Sequence, residues 1–420
     1  MKFSFVKANA TKILLLPLYV AVGLFASVLP RNRRLWVFGR KSGFGEGPLR
    51  VLQEVRRRHP DFRLIWMAQS ENDKIEAESA GVACVTRKSV AGFVATLRAG
   101  VVVLTHGLGD VNRPAAPGAK IIQLWHGTPL KLISLDAPAT YRAGDGAVGR
   151  LLGAMMLLPY RAAYRTPSVY VAACETSAAR FETAFGIPAS KILVAGDPRC
   201  DCLWSSNGEQ ARVDARQALA ALWGRAALPD RILMYAPTWR DGETDPGVPG
   251  AGDWQAIAAA CERINAMLVI RSHPHGYGME DVSLDAEMRE RIRFLPATVV
   301  NDVTPYLHAI DGLITDYSAL AMDYAQLERP IYFFAPDLAA YERTRGLYEP
   351  YGEFTEGVWD TCWLQVLSSI EATQPGTPAY HQKIENSRRM KHRYHAYSDG
   401  MASSRVVDCV LAATRSAGEA

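Results

Sequence analysis

From Arg34 onward the chain alternates short runs of apolar, β-branched and aromatic residues with longer stretches whose apolar positions recur at helical intervals. The short runs are RLWVFG, FRLIWMA, GVACVT, GVVVLTHG, KIIQLWHG, SVYVAAC and KILVAGDP, each closed by turn-forming residues, and they predict strands. Leu49 to Arg58 and Ser89 to Ala99 carry the helical interval between them. Such alternation predicts a parallel α/β sheet, because parallel neighbours need the crossover that a helix supplies. After a polar, Ala-rich stretch a second series follows: RILMYAPT, AMLVIRSHP, RIRFLP, DGLITD and PIYFFAPD. The expectation is a pair of Rossmann-like domains, 31–204 and 231–375, facing a central cleft, with 205–230 as linker and C-terminal helices over 376–420.

The N-terminus departs from this rhythm. Ile13 to Pro30 is uncharged, with Lys2, Lys7 and Lys12 before it and Arg31, Arg33 and Arg34 after it. The pattern predicts a membrane anchor over 1–30, spanning or lying in the interface, that holds the protein to membrane lipids at the cytoplasmic face. Read as a signal peptide, the same stretch points to a secreted or periplasmic binding protein, but no small-x-small cleavage site precedes Arg31. Arg150 to Arg165, RLLGAMMLLPYRAAYR, is either a buried helix or a second interfacial helix that uses Arg150, Arg161 and Arg165 against lipid phosphates.

Composition narrows the classes. With 420 residues, 49% hydrophobic and a formal net charge of +4, the chain has ample core and lacks the dense basic patches of a nucleic-acid partner. The seven cysteines contain no CxxC pair, only Cys200 and Cys202 as a lone C-x-C, so neither a disulfide framework nor a metal site is expected. A reducing compartment fits that usage.

Chemistry collects where strands run out, which in open α/β sheets is where ligands bind. FGRKSGFGEGP follows the first strand, and Gly43 and Gly45 free backbone amides there, or else make a plain tight turn. QLWHGTPLK ends a strand on His126, with Gly127 behind it and Lys131 one helical turn on; the alternative is a satisfied core histidine. In the second series YAPTWRD supplies Thr238, Arg240 and Asp241. IRSHPH supplies Arg271, Ser272, His273 and His275, and ITDYS supplies Asp316 and Ser318. Hydroxyls and helix-start amides bind phosphate oxygens and Arg and His supply positive charge, although Asp316 and Ser318 also read as an N-cap pair.

In order, FGRKSGFGEGP, QLWHGTPLK, YAPTWRD, RSHPH, DVTPYLHAIDGLITDYSALAMDYAQLERPIYFF and YERTRGLY resemble the CDP-glycerol glycerophosphotransferase family, the teichoic-acid-type polymerases and primases. The resemblance runs from about residue 35 to about 350. It implies a GT-B fold, peripheral membrane attachment, and attack of an acceptor hydroxyl on the glycerol-bearing phosphorus of CDP-glycerol with loss of CMP. By position it makes His126 the general base and His273 the donor to the diphosphate. Thr238, Arg271, Asp316, Ser318 and Arg345 fall at nucleotide or phosphate positions, and Gly43, Gly45 and Lys131 on the acceptor side. No cofactor and no bound metal are implied. The implied partners are CDP-glycerol and a glycan, lipid-linked or polyol-phosphate acceptor of a cell-surface polymer. Two departures stand out: Ala319 follows Ser318 where the family has a second serine, and EPYGEFTEG only loosely matches the acidic segment after RGxY. CDP-ribitol or a nucleotide sugar as donor, or a non-catalytic GT-B-like scaffold, remain the alternatives.

Overall fold

Strands whose faces are both covered by helices must be apolar on both sides, and the strands here obey that rule. In β1 (Asn32–Gly39) the last five residues are buried, and in β4 (Ala99–Leu104) all but Gly100 are. The computed structural model describes residues 16–137, 157, 160–204, 207–238, 240, 244–272 and 284–416. The Arg150–Arg165 question falls largely outside them, as does His273.

Contacts divide the chain into two units. The N-terminal unit holds Ser4–Thr128, Ile133–Cys202 and His395–Ala420; the C-terminal unit holds Pro129–Leu132 and Leu203–Tyr394. The first unit carries a seven-stranded sheet in the order β3-β2-β1-β4-β5-β6-β7, formed with β2 (Arg63–Ala68), β3 (Cys84–Thr86), β5 (Lys120–Gln123), β6 (Val169–Ala172) and β7 (Ile192–Val194). The second carries five strands in the order β10-β9-β8-β11-β12: β8 (Arg231–Ala236), β9 (Ala266–Ile270), β10 (Ile292–Phe294), β11 (Gly312–Thr315) and β12 (Ile331–Phe333). Every ladder is parallel. Each sheet therefore reverses direction at one internal point, between β1 and β4 and between β8 and β11, where the crevice of a doubly wound sheet opens.

Local chemistry sets the helix bounds. Ser89 accepts the Gly92 N–H with its hydroxyl and starts the helix Val90–Arg98 one residue later; Asn207 does the same for Gly208–Leu222 through Gln210. The stretch 205–230, expected to carry one helix and the joint between the domains, holds that helix, which belongs to the C-terminal unit. The last two helices part company: Pro378–Tyr394 belongs to the C-terminal unit and Ala402–Ser416 to the N-terminal one, where Val406, Val407 and Val410 join the core of β1 and β4.

The helix Leu16–Val28 is 13 residues long, and among the described residues no helix is long and apolar enough to cross a membrane. At about 1.5 Å per residue it covers roughly 20 Å of a hydrocarbon core about 30 Å thick. Arg31 fastens its end to the N-terminal unit, donating to the carbonyls of Ala26 (2.8 Å), Thr96 (2.9 Å), Ala115 and Pro117. Val20, Leu24, Phe25 and Val28, spaced to one face, are between 53 and 78% exposed.

Gly39 closes β1 against the loop that follows β4. A Cβ there meets the Asp110 carbonyl oxygen at 2.3 Å and its carbon at 2.9 Å, both rigid backbone atoms. Gly39→Ala is therefore expected to lower unfolding stability by about 1–3 kcal/mol, read as a lower urea midpoint at unchanged slope.

Candidate functional site

In the N-terminal unit the polar residues gather beyond the ends of β1, β4 and β5. His126 follows β5 by three residues because Trp125 turns the chain with a φ of 60°, a left-handed value for a bulky side chain. The Trp125 ring is wedged edge-on against Phe185 at 4.9 Å and Phe181 at 6.2 Å, which holds that turn. The half-buried His126 ring lies between two others: Trp125, stacked at 4.3 Å, and His106, tilted by 33° at 4.7 Å. Arg199 donates to the His126 carbonyl at 3.1 Å.

His106 comes from the loop after β4 and was not among the residues expected at the site. Asp110, fully buried, accepts the Thr105 and His106 amides at 2.8 and 2.7 Å through one oxygen. Burial pushes the Asp110 carboxyl up and the His106 imidazole down, while the attraction between them works against both shifts. The glycine loop wraps around a buried cation: Arg40 pairs with Glu46 and donates to the carbonyls of Ser42 (3.3 Å) and Gly43 (3.4 Å). Gly43 and Gly45 have φ of 102° and 135°, which only glycine adopts without strain. Gly47 lets the following helix approach Leu124, whose Cδ1 stands 3.1 Å from where a Cβ would lie.

In the C-terminal unit the ends of β8 and β11 are tied by one carboxylate. Asp316 accepts the amides of Thr238 (2.8 Å) and Tyr317 (2.6 Å) on Oδ1 and the Arg240 guanidinium (2.9 Å) on Oδ2. Arg240 also forks onto Asp337 at 2.8 and 3.0 Å, and its cation faces Tyr317 and Tyr341, which stack on each other at 3.9 Å. Asp316, expected at a phosphate position, thus spends its carboxylate inside the protein. Arg271 does likewise, donating to the carbonyls of Leu295 (3.2 Å), Val300 and Asn301 (3.2 Å). Ser318 accepts the Leu320 amide at 3.2 Å. The Thr238 hydroxyl is 7% exposed as a residue and has no hydrogen-bond partner among the described residues.

Lys131 was expected on the acceptor side, one helical turn past His126. It sits instead in an extended segment of the C-terminal unit, bridged antiparallel to Leu347; Leu132 donates to Gly346 at 3.1 Å and Tyr348 to Leu130 at 2.9 Å. Leu130, 1% exposed, anchors that segment, and Gly346 makes room for Leu132, whose Cδ1 would meet a Cβ at 2.7 Å. Lys131 therefore neighbours the RGLY element and Arg345 in the fold.

The family model described as CDP-Glycerol:Poly(glycerophosphate) glycerophosphotransferase matches residues 22–412. The chain belongs to this family. Among its relatives is the teichoic acid glycerol-phosphate transferase of Staphylococcus aureus, 26% identical over 92% of this chain and 94% of that one. The teichoic acid ribitol-phosphate polymerase TarK of the same organism is also 26% identical, over 69% of this chain; the match spans only 52% of that polymerase. Among solved structures, the wall teichoic acid polymerase TagF superposes with a TM-score of 0.75 at 21% identity, covering 98% of this chain and 97% of that one. A TagF variant soaked with CDPG gives 0.74. The glycerophosphotransferase family's α/β, GT-B-like fold is thus the fold of this chain, and its sequence elements lie at the strand ends described above.

One buried carboxyl beside this network generates a pH effect. Asp245, 8% exposed, accepts the Gly247 amide at 2.9 Å and the Tyr235 hydroxyl at 3.3 Å, and burial pushes it up to about 6, against the pull of Arg240. The folded state holds this proton more tightly than the unfolded chain, so stability is highest below the unfolded value near 4 and falls as pH rises to about 6. Asp245→Asn keeps the acceptor for Gly247. The variant is expected to gain up to about 3 kcal/mol over wild type at pH 7 and nothing at pH 4, measured by denaturant titration at both values.

Proposed function

We propose that the protein transfers glycerol phosphate from CDP-glycerol to a hydroxyl of a polyol-phosphate, glycan or lipid-linked acceptor. The observation that carries this reading is His126 itself: a half-buried imidazole beyond the end of a parallel strand, fixed between two rings, inside a family match that runs nearly the whole chain. The acceptor O–H gives its proton to His126 as its oxygen bonds to the glycerol-bearing phosphorus. The bridging P–O bond breaks, and CMP leaves with the electron pair. Imidazole suits this step because its proton affinity lies near neutrality without strong perturbation.

On the donor side His273 meets the diphosphate charge, with the Thr238 and Ser318 hydroxyls on phosphate oxygens. The buried, unpartnered Thr238 oxygen supports that assignment. Lys131 acts there too, beside Arg345, in keeping with its place in the C-terminal unit. Asp316 and Arg271 act by holding strand-end loops, and Arg271 adds a fixed positive charge. Gly43 and Gly45 shape the acceptor side. A soak of TagF with CDPG and the near full-length match to a glycerol-phosphate transferase favour glycerol as the carried alcohol. The similarity to TarK keeps CDP-ribitol as the second reading. The exposed face of Val20, Leu24, Phe25 and Val28 seats the protein on a bilayer surface, with Arg33 and Arg34 beside it.

Purified full chain with CDP-glycerol and a glycerol-phosphate acceptor is expected to release CMP, and His126→Ala to slow release by about 10²–10⁴-fold. Near-normal turnover in that variant removes the base assignment. In thermal-shift titrations CDP-glycerol is expected to stabilise more than CDP-ribitol, and the reverse order selects the second reading. Leu24→Ser with Phe25→Ser is expected to release the protein from anionic vesicles in a flotation assay; unchanged flotation excludes the helix as the lipid contact.

A further inference from the structure

A second histidine stands beside His126, outside every family element quoted above. His106 follows β4 as His126 follows β5, and the two rings are 4.7 Å apart. Resting on the reading of His126 as base, we propose that His106 binds the acceptor: its Nε2 accepts a hydrogen bond from a hydroxyl adjacent to the one His126 deprotonates. The acceptor terminus is then a vicinal diol.

The tautomer follows from the partners of the ring. The Thr105 hydroxyl lies 2.8 Å from His106 Nδ1 and 3.3 Å from Asp110 Oδ2, and its one proton serves either. With the proton on His106 Nδ1, the Thr105 oxygen accepts it and its own hydroxyl proton turns to Asp110 Oδ2. Asp110 Oδ1 has no hydrogen-bond partner among the described residues and lies 4.0 Å from the same Nδ1, which adds negative potential on that side. That potential favours the proton on Nδ1, which leaves the lone pair on Nε2.

The surroundings keep that lone pair available. Burial lowers the proton affinity of His106, Arg40 and Lys41 lower it further, and Asp110 and Glu46 only partly oppose them. The neighbour of Nε2 is the Ser42 hydroxyl, at a long 3.3 Å and on an exposed part of the glycine loop. A ligand hydroxyl replaces such a contact at little cost. The side chain keeps 28% of its surface exposed, so a ligand reaches it from solvent. Two rings 4.7 Å apart suit two hydroxyls on adjacent carbons, one for each imidazole.

Two measurements on the full chain test this. In ¹⁵N-histidine-labelled protein near pH 7.5, His106 is expected as the Nδ1–H tautomer, and Thr105→Val is expected to mix the tautomers. An Nε2–H tautomer in wild type overturns the proposal. With CDP-glycerol as donor, a vicinal-diol acceptor is expected to exceed its monodeoxy counterpart by about tenfold in kcat/KM. His106→Phe is expected to erase that preference through KM, and His106→Gln, whose amide oxygen accepts, to restore part of it. A preference that survives in His106→Phe overturns the proposal, and if that variant does not fold, the wild-type tautomer decides. His126→Ala with near-normal turnover sinks the base reading and leaves the His106 measurements interpretable, because tautomer and diol preference do not depend on which group takes the proton.

Discussion

A parallel sheet leaves backbone amides without partners wherever its strands stop, and at a switch point these amides lie in the crevice that a ligand needs open. Both units meet this constraint with one buried aspartate. Asp110 takes the amides of Thr105 and His106 after β4, and Asp316 takes those of Thr238 and Tyr317 after β8 and β11. A carboxylate accepting two amides fixes the loops that carry the chemistry and leaves the crevice free of secondary structure. The exposures of 0 and 2% mean that neither carboxylate is itself available to substrate.

The two units differ in how they balance that buried charge. Asp316 is met by Arg240, whose guanidinium also serves Asp337, and three tyrosine rings pack around the network. Removing one partner of such a group leaves an uncompensated buried charge, which is why the network rigidifies its surroundings. In the N-terminal unit Thr105 and His106 stand where the arginine stands in the other. An imidazole compensates weakly and only with a proton on its near side, so the carboxylate's demand becomes an orientation imposed on His106. The same physical need thus yields a locked cation in one sheet and a directed lone pair in the other.

The twelve strands were legible because each is a short apolar run bounded by turn residues, and the helix Val90–Arg98 because Ser89 is an ordinary cap before it. Sequence also placed the polar residues at strand ends. It did not reveal how each spends its charge: Asp316 and Arg271 carry the right groups at the right ends, and both turn them inward. Nor does periodicity assign a four-residue extended segment to a unit, so Lys131 read as a cation one helical turn past His126 while its backbone bridges antiparallel to Leu347. His106 carried a usable signal, a histidine at a strand end beside the switch point, but no motif surrounds it. Asp110, which gives it meaning, lies four residues on in an irregular loop.

The inward use of charge bears on how such strand ends meet an anion. Arg240 and Arg271 have fixed partners, so their positive ends cannot swing toward a diphosphate, yet their field at the strand ends is constant and needs no reorganisation when charge moves. Under the proposed transfer, direct contact falls to groups with spare capacity. The buried Thr238 hydroxyl, with no partner among the described residues, is of that kind. A buried hydroxyl left without a hydrogen bond costs on the order of 1–3 kcal/mol. A ligand oxygen that satisfies it recovers that amount on binding.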